Sequence, residues 1–172
     1  MDTLEQEFLN HSMEKLRQYT GRIGTCLAML REVQVWARAS ENENAIGNLV
    51  LHLCGNVRQW IISGVGGAPD IRHRDTEFDA RGGVGIAELM ERLRSTVDEA
   101  AGVIRAATSA RLLERSMIQG YGVSGMEAIY HVVEHFAMHT GQIIFATKLF
   151  TQSDLGFYAH LRVSAAHREK TP

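Results

Sequence analysis

Prolines are almost absent from this chain, and that scarcity limits what it can fold into. Pro69 and Pro172 are the only two in 172 residues. Proline breaks a helix interior because it removes a backbone donor and clashes with the preceding turn. Long stretches of the chain are therefore free to be helical, and the sequence predicts an all-α protein.

Four long segments carry apolar residues at steps of three or four, the spacing of a helix with one buried face. Ser124 is followed three residues later by Glu127, a capping-box pattern that marks the start of the fourth segment. Gly21 and Gly24 lie inside the first segment and predict a bend or break there. The predicted helices cover about residues 2–38, 45–63, 85–107 and 124–150.

The connections between these helices differ in length. Residues from about 64 to 85 are predicted to form a long crossover loop, those from about 108 to 122 a shorter loop, and those from about 151 to 172 a tail across one end. The glycine-rich stretches at the two ends of the crossover loop follow no strand and lack the lysine of a phosphate-binding loop. The prediction is a single domain, residues 1–172, forming a four-helix bundle with a long crossover loop between helices 2 and 3.

Composition excludes several classes of partner and location. The net charge of −2 gives no basic surface for nucleic acid. Two cysteines are too few for a secreted disulfide framework. No run of 18 apolar residues is present to span a membrane. The acidic N-terminus lacks the apolar segment of a signal peptide, and a cytoplasmic location is expected.

Three of the eight histidines follow one another at steps of four on the predicted fourth helix: His131, His135 and His139. Each is rotated by about 40° from the last, and Gln142 also lies within about 40° of His135. Apolar residues flank this polar stripe, the reverse of an ordinary surface helix. Buried imidazoles are commonly satisfied by a metal ion or by each other. Two of these histidines and a ligand from elsewhere fit one ion better than all three.

The predicted second helix has a matching polar stripe. Asn48, Asn56 and Gln59 lie within about 40° of His52, among apolar neighbours. His52 would supply the third nitrogen if the two stripes face each other. Cys54 points about 200° away and is interpreted as core packing. A purely structural role for these histidines is the alternative, and surface positions are expected for the other four, His11, His73, His160 and His167.

Two motifs together resemble the DinB/YfiT-like superfamily of helical-bundle metalloenzymes. They are the mid-chain helical histidine within Ile46–Asn56 and the His-x-x-x-His-x-Gly-Gln pattern within His131–Gln142. The run Arg58–Gly67 resembles one uncharacterised subgroup of that superfamily. The resemblance covers nearly the whole chain in order and spacing.

The resemblance implies a four-helix bundle, often a homodimer, that holds a divalent ion through His52, His135 and His139. His131 matches a position that is often histidine but usually not a ligand, and Thr140 stands where many relatives carry arginine. Some relatives are thiol transferases that use low-molecular-weight thiols.

Three imidazoles leave positions open on zinc or nickel, as in catalytic rather than structural sites. Asn48, Asn56, His131 and Gln142 are candidates either for hydrogen-bonding to the metal-binding imidazoles from behind or for orienting water or substrate beside that ion. No carboxylate lies on either stripe, and Glu134 points about 100° from His135, which argues against a metalloprotease. We therefore predict a metal-dependent thiol transferase or small-molecule hydrolase, with no catalytic residue assigned. The alternative is a non-catalytic, metal-binding dimeric bundle.

Overall fold

The first helix begins where Thr3 caps it. Thr3 Oγ1 accepts a hydrogen bond from the backbone of Gln6, whose side chain accepts one from Thr3 N, so two donors at the helix start are satisfied. The computed structural model describes residues 3–161, in which helix α1 spans Leu4–Ala28. It runs through Gly21 and Gly24 without interruption, so the predicted break there is wrong.

The chain leaves the helical path directly after α1. Met29 and Leu30 donate to carbonyls three residues back, which tightens the last turn, and Arg31 is extended with ψ 154°. A separate short helix, α2, then covers Glu32–Val35. The predicted continuation of the first helix to about residue 38 is therefore wrong.

The second long helical segment consists of two parts. Helix α3 spans Ile46–Val57 and passes directly into a π-helix over Arg58–Val65. The wide turn is closed by a hydrogen bond of 2.8 Å from Gly66 N to Ile61 O. The prediction of one α-helix over about 45–63 missed this change, and π-helical turns are frequent at functional sites.

The remaining connections hold more structure than predicted. The crossover contains a helix, α4, and the predicted loop at about 108–122 contains a helix and most of a two-stranded antiparallel hairpin. The two later long helices lie within two residues of the predicted bounds. The elements are α4 Arg74–Asp79, α5 Ile86–Ala106, α6 Ser109–Leu113, β1 Arg115–Ile118, β2 Tyr121–Ser124 and α7 Gly125–Thr151.

The long helices pack around one hydrophobic core. Helix α1 packs against α5 and α7, and α3 with its π-helical extension packs against the same two helices. Phe136 on α7 is fully buried and belongs to the same hydrophobic core as the buried Leu16, Ile23 and Leu53. The described chain is thus mostly helical, as the sequence predicts, and α7 presents its histidines toward α3. Within residues 3–161, no helix has the length and apolar character to cross a membrane.

Candidate metal centre

Three histidines from two helices bring their Nε2 atoms together. His52 lies on α3, and His135 and His139 lie one turn apart on α7. The Nε2 atom of His135 is 3.1 Å from that of His52 and 3.1 Å from that of His139. All three rings offer a nitrogen within 4.8 Å of the others. The structure therefore brings together the three residues that the family resemblance implies as ligands.

This arrangement fits a divalent ion in its spacing and in its donor chemistry. Zinc binds imidazole nitrogen at about 2.0–2.1 Å, so tetrahedral ligands lie about 3.3–3.4 Å apart. The two short separations at His135 are close to that value. His135 has a single ring proton when neutral and cannot donate to both neighbours through Nε2. Its Nδ1 is buried and unpaired among the described residues.

The outer nitrogen of His139 is held by an amide. His139 Nδ1 donates to Gln142 Oε1 over 2.7 Å, which leaves the lone pair on Nε2 and directs it toward His135. Second partners of this kind commonly fix the orientation of metal-binding imidazoles. Gln142, one of the residues predicted to lie around the ion or the substrate, thus contacts a histidine of the cluster.

His52 is held by a carboxylate and an arginine that sequence analysis did not single out. His52 Nδ1 lies 2.9 Å from Glu77 Oε2, and Arg72 Nε donates to Glu77 Oε1 over 2.7 Å. These side chains are 7%, 9% and 3% exposed for His52, Glu77 and Arg72. Both Arg72 and Glu77 come from the crossover, which folds over α3.

Local backbone geometry makes room for this carboxylate. Gly55 on α3 faces Glu77 so closely that a Cβ atom on Gly55 would lie 1.8 Å from Glu77 Oε1. Any larger residue at position 55 must displace the carboxylate. Gln59, in the π-helix, accepts a hydrogen bond from Arg72 Nη1 over 2.8 Å and donates to Asp70 over 2.7 Å. The π-helix therefore supports the arginine that supports Glu77.

Asn48 forms its hydrogen bonds away from the three histidines. Its Oδ1 accepts from Ala45 N and Arg38, and its Nδ2 donates to the carbonyls of Glu77 and Ala80. It is fully buried and holds the backbone of α4 against α3. Its hydrogen bonds therefore go to the crossover, to the start of α3 and to Arg38, and none goes to the three histidines.

His131 and Asn56 lie beside the three-histidine cluster. The His131 ring lies against that of Trp60, with ring centroids 4.0 Å apart and ring planes at 33°, and its Nε2 lies 3.5 Å from Asn56 Nδ2. Its centroid is 5.5 Å from that of His135. Asn56 Oδ1 and Trp60 Nε1 are buried without a hydrogen-bond partner among residues 3–161. The structure places His131 against Trp60, outside the group of converging nitrogens.

Burial favours neutral imidazoles in this region. It lowers the pKa of His135 to about 3, with further lowering from His139 and His52. It also lowers the pKa of His131 and of His139, in the latter case against the opposing hydrogen bond with Gln142. Neutral imidazole is the form that binds metal. Burial opposes ionisation of Glu77, yet hydrogen bonds from Arg72 and His52 outweigh it and lower its pKa.

An open cavity of about 620 Å³ lies next to the three histidines. Helix α4 supplies four of its lining residues, Arg74, Asp75, Phe78 and Asp79, and Asn44 also lines it. The Arg74 guanidinium sits 4.7 Å from the Phe78 ring centroid. A small molecule in this cavity would contact the histidines on one side and both cationic and anionic groups on the other.

Helical-wheel reasoning missed the residues of the crossover because it compares positions within one helix. Their only signal is a 20-residue connection rich in charged residues, and long connections in compact domains are often functional. Glu134 is exposed, and His11, His73 and His160 are exposed as predicted. His167 lies outside the described residues.

The fold and its histidines define a mostly helical protein with a candidate three-histidine metal centre. Residues 3–163 match the model of a protein family of unknown function, DUF1572, and the chain belongs to that family. This match and the structural similarities below support the DinB-like superfamily that the motifs predict. No curated protein matches the sequence.

Two solved structures share the fold at low sequence identity. A conserved protein from Enterococcus faecalis superposes with a TM-score of 0.69 at 14% identity, covering 81% of this chain and 95% of that one. A mutant of a mycothiol-dependent maleylpyruvate isomerase superposes with a TM-score of 0.62 at 13% identity, covering 78% of this chain and 60% of that protein. At such identity the similarity describes the fold.

Proposed function

We propose that the protein binds a divalent metal ion through His52, His135 and His139 and uses it to transform a small molecule in the adjacent cavity. The observation that carries this proposal is the convergence of three Nε2 atoms, two pairs of them 3.1 Å apart. Protein-only hydrogen bonding cannot satisfy three inward-facing nitrogens, whereas a cation can. Zinc and nickel are the ions we expect, since imidazole suits both.

The residues around the site have separate tasks in this account. A divalent ion on three imidazoles keeps positions open and supplies Lewis-acid chemistry there. Gln142 and Glu77 orient two of the imidazoles. Arg74 offers a cation to an anionic group of the substrate, and Asp75 and Asp79, on the same cavity wall, are positioned to accept a proton.

A low-molecular-weight thiol is the co-substrate class that we propose first. The mycothiol-dependent isomerase that shares the fold uses such a thiol according to its name. The two cysteines of this chain are poor substitutes. Burial raises the pKa of Cys54 to about 12 and also raises that of Cys26, and a protonated thiol is unreactive. The reacting thiol would therefore come from solution.

Hydrolysis of a small molecule is the second candidate. Asp75 and Asp79 favour it, because both carboxylates line the cavity that the histidines face. Glu77 is unsuited to act as general base, since its two oxygens already bind Arg72 and His52. Neither polar stripe carries a carboxylate, which argued against a metalloprotease. If the protein is a hydrolase, the aspartates of α4 would supply the missing carboxylate.

Assembly and location complete the proposal. We propose that the four long helical segments form the bundle predicted from the sequence and that two copies associate as a homodimer in the cytoplasm. Exposed apolar side chains on α7, Met138, Phe145 and Leu149, support association through that helix. A non-catalytic, metal-stabilised dimer is the version that applies if no turnover accompanies metal binding.

Metal analysis of protein made without an affinity tag tests this proposal. The expected result is about one zinc or nickel ion per chain, lost in His135→Ala and retained in His11→Ala, which alters an exposed histidine. Wild-type protein without bound metal, even after incubation with zinc, would refute the site. A screen of thiol conjugation and ester hydrolysis, with and without a chelator, then separates the enzyme from the non-catalytic dimer.

A further inference from the structure

We propose that Glu77, fixed by Arg72, is a positioning residue that sets the tautomer of His52 and links the crossover segment, residues 66–85, to the metal centre. This inference rests on the proposed metal site and extends it to a part of the chain that carries no metal ligand. Among the described residues, Glu77 is a buried carboxylate in direct contact with one of the three converging histidines.

The tautomer follows from two donors that share one oxygen. Arg72 Nη2 donates to Glu77 Oε2 over 2.8 Å, and His52 Nδ1 lies 2.9 Å from the same atom. A carboxylate oxygen only accepts, so Nδ1 must carry the proton. Arg72 Nη2 and His52 Nδ1 lie 3.1 Å apart because both donate to the same Glu77 oxygen, and they do not bond to each other.

This proton placement leaves the His52 lone pair on Nε2, where His135 lies 3.1 Å away. The opposite tautomer would direct a lone pair at Glu77 and an N–H group into the space between the histidines, where it would block a cation. Metal-binding histidines commonly donate their other ring nitrogen to a carboxylate, which also raises the basicity of the ligand. Glu77 therefore acts on the metal site through His52.

Arg72 keeps the carboxylate in place and charged. Its Nε and Nη2 donate to the two oxygens of Glu77, and its Nη1 donates to Gln59 Oε1. Gln119, at the turn of the hairpin, donates to the same Gln59 oxygen over 2.6 Å. The crossover segment is thus joined to α3, the π-helix and the hairpin through one hydrogen-bond network, which is buried at His52 and Glu77 and exposed at Gln119.

A link between the segment and the metal site works in both directions. If the closed segment raises metal affinity, bound metal must favour the closed segment by the same factor. Arg74 and Arg81 are exposed residues of the segment and provide trypsin sites that report its opening. Zinc should therefore slow cleavage after these two arginines.

The first experiment compares zinc affinity, measured by competition with a chromophoric chelator, for wild type, Glu77→Gln and the double variant Arg72→Gln/Glu77→Gln. We expect affinity to fall about 10–100-fold in both variants, the usual loss when such a partner is removed. Wild-type affinity in Glu77→Gln would overturn the proposal. Recovery in the double variant would also overturn it, because the loss would then come from the stranded Arg72 charge.

Two further variants separate positioning from folding. Gly55→Ala keeps every charge but displaces the Glu77 carboxylate, so it should weaken zinc binding although alanine favours helix. Glu99→Gln is the matched control, since Glu99 pairs with Arg58 over 2.6 Å at a half-exposed position, and it should bind zinc like wild type. Unchanged affinity in Gly55→Ala would contradict the proposal.

Trypsin digestion completes the test. Zinc should slow cleavage after Arg74 and Arg81 in wild type and Glu99→Gln, and the slowing should be reduced in Glu77→Gln. Equal slowing in Glu77→Gln would overturn the link. Failure of wild type to bind zinc would instead refute the proposed function, so the two failures are distinguishable.

Discussion

The Nε2 atoms of His52 and His135 lie 3.1 Å apart, although the two residues are 83 positions apart in the sequence. Their rings meet at the contact between α3 and α7, with centroids 4.9 Å apart and ring planes at 61°. Two imidazoles so placed share at most one proton through these atoms. With His139 beside them, the contact is better suited to a cation than to a hydrogen-bond network.

Metal binding should stabilise the fold, and His52→Ala should abolish that effect. A ligand at 100 times its dissociation constant contributes about 2.7 kcal/mol, and 1 kcal/mol corresponds to about 2–4 °C in Tm for a domain of this size. We expect zinc to raise the Tm of metal-free wild type by several degrees in differential scanning fluorimetry. His11→Ala should show the same zinc-induced increase in Tm. If His52→Ala showed an increase as large as that of wild type, His52 would be excluded as a ligand.

His131→Phe should leave metal stoichiometry unchanged. The His131 ring packs against that of Trp60, and phenylalanine preserves an aromatic ring at that position while removing both nitrogens. The helical spacing alone left open which two histidines of α7 share the ion, so this variant tests the choice directly. Mass spectrometry of the metal-loaded protein under native conditions should show the same mass increment for His131→Phe and wild type. Loss of the increment would make His131 a ligand.

The cysteines should react slowly in the folded protein. Burial raises the pKa of Cys54 to about 12, against a lowering contribution from Thr96, and Cys26 is fully buried. A chromogenic disulfide reagent should label both thiols only after denaturation. Metal removal should not accelerate labelling, since neither thiol belongs to the converging histidine group. Fast labelling of native Cys54 would contradict its assignment to core packing.

The cap of α7 should make stability depend on pH. Hydrogen bonds from the backbone and side chain of Ser124 lower the pKa of Glu127 below its ordinary value of 4.5. A carboxyl group with a lowered folded-state pKa stabilises the fold above its unfolded-state pKa, and this stability is lost as the pH falls through the folded-state pKa. Urea unfolding of metal-free protein between about pH 6 and pH 3 should show a weaker pH dependence in Glu127→Gln. Equal slopes would contradict the capping role.

The long helices were predictable from the regular spacing of their apolar residues. The positions where a helix ends or changes type were not. Ser124 and Glu127 predicted the start of α7 correctly, because a capping box is a local sequence pattern. The end of α1 at Ala28 and the π-helix from Arg58 depend on how distant segments pack, which helical periodicity does not contain. The histidine stripes were found because their spacing is also local to each helix.

The other half of the site escaped prediction for the same reason. Glu77 and Arg72 approach His52 across 25 and 20 positions of sequence, through a connection without periodicity. Asn48 lies on the face of α3 that carries His52, yet its side-chain amide donates to carbonyl groups in and just after α4. A helical wheel gives the direction in which a side chain points, but it does not show which segment of the chain lies in that direction.

X-ray absorption spectroscopy of zinc-loaded protein, prepared without an affinity tag, tests the central claim most directly. The account predicts three imidazole nitrogens at about 2.0–2.1 Å and no sulfur ligand. The number of imidazoles should fall by one in His139→Ala and stay the same in His131→Phe. A spectrum dominated by sulfur or by water oxygens, or the same number of imidazoles in His139→Ala as in wild type, would contradict the three-histidine site.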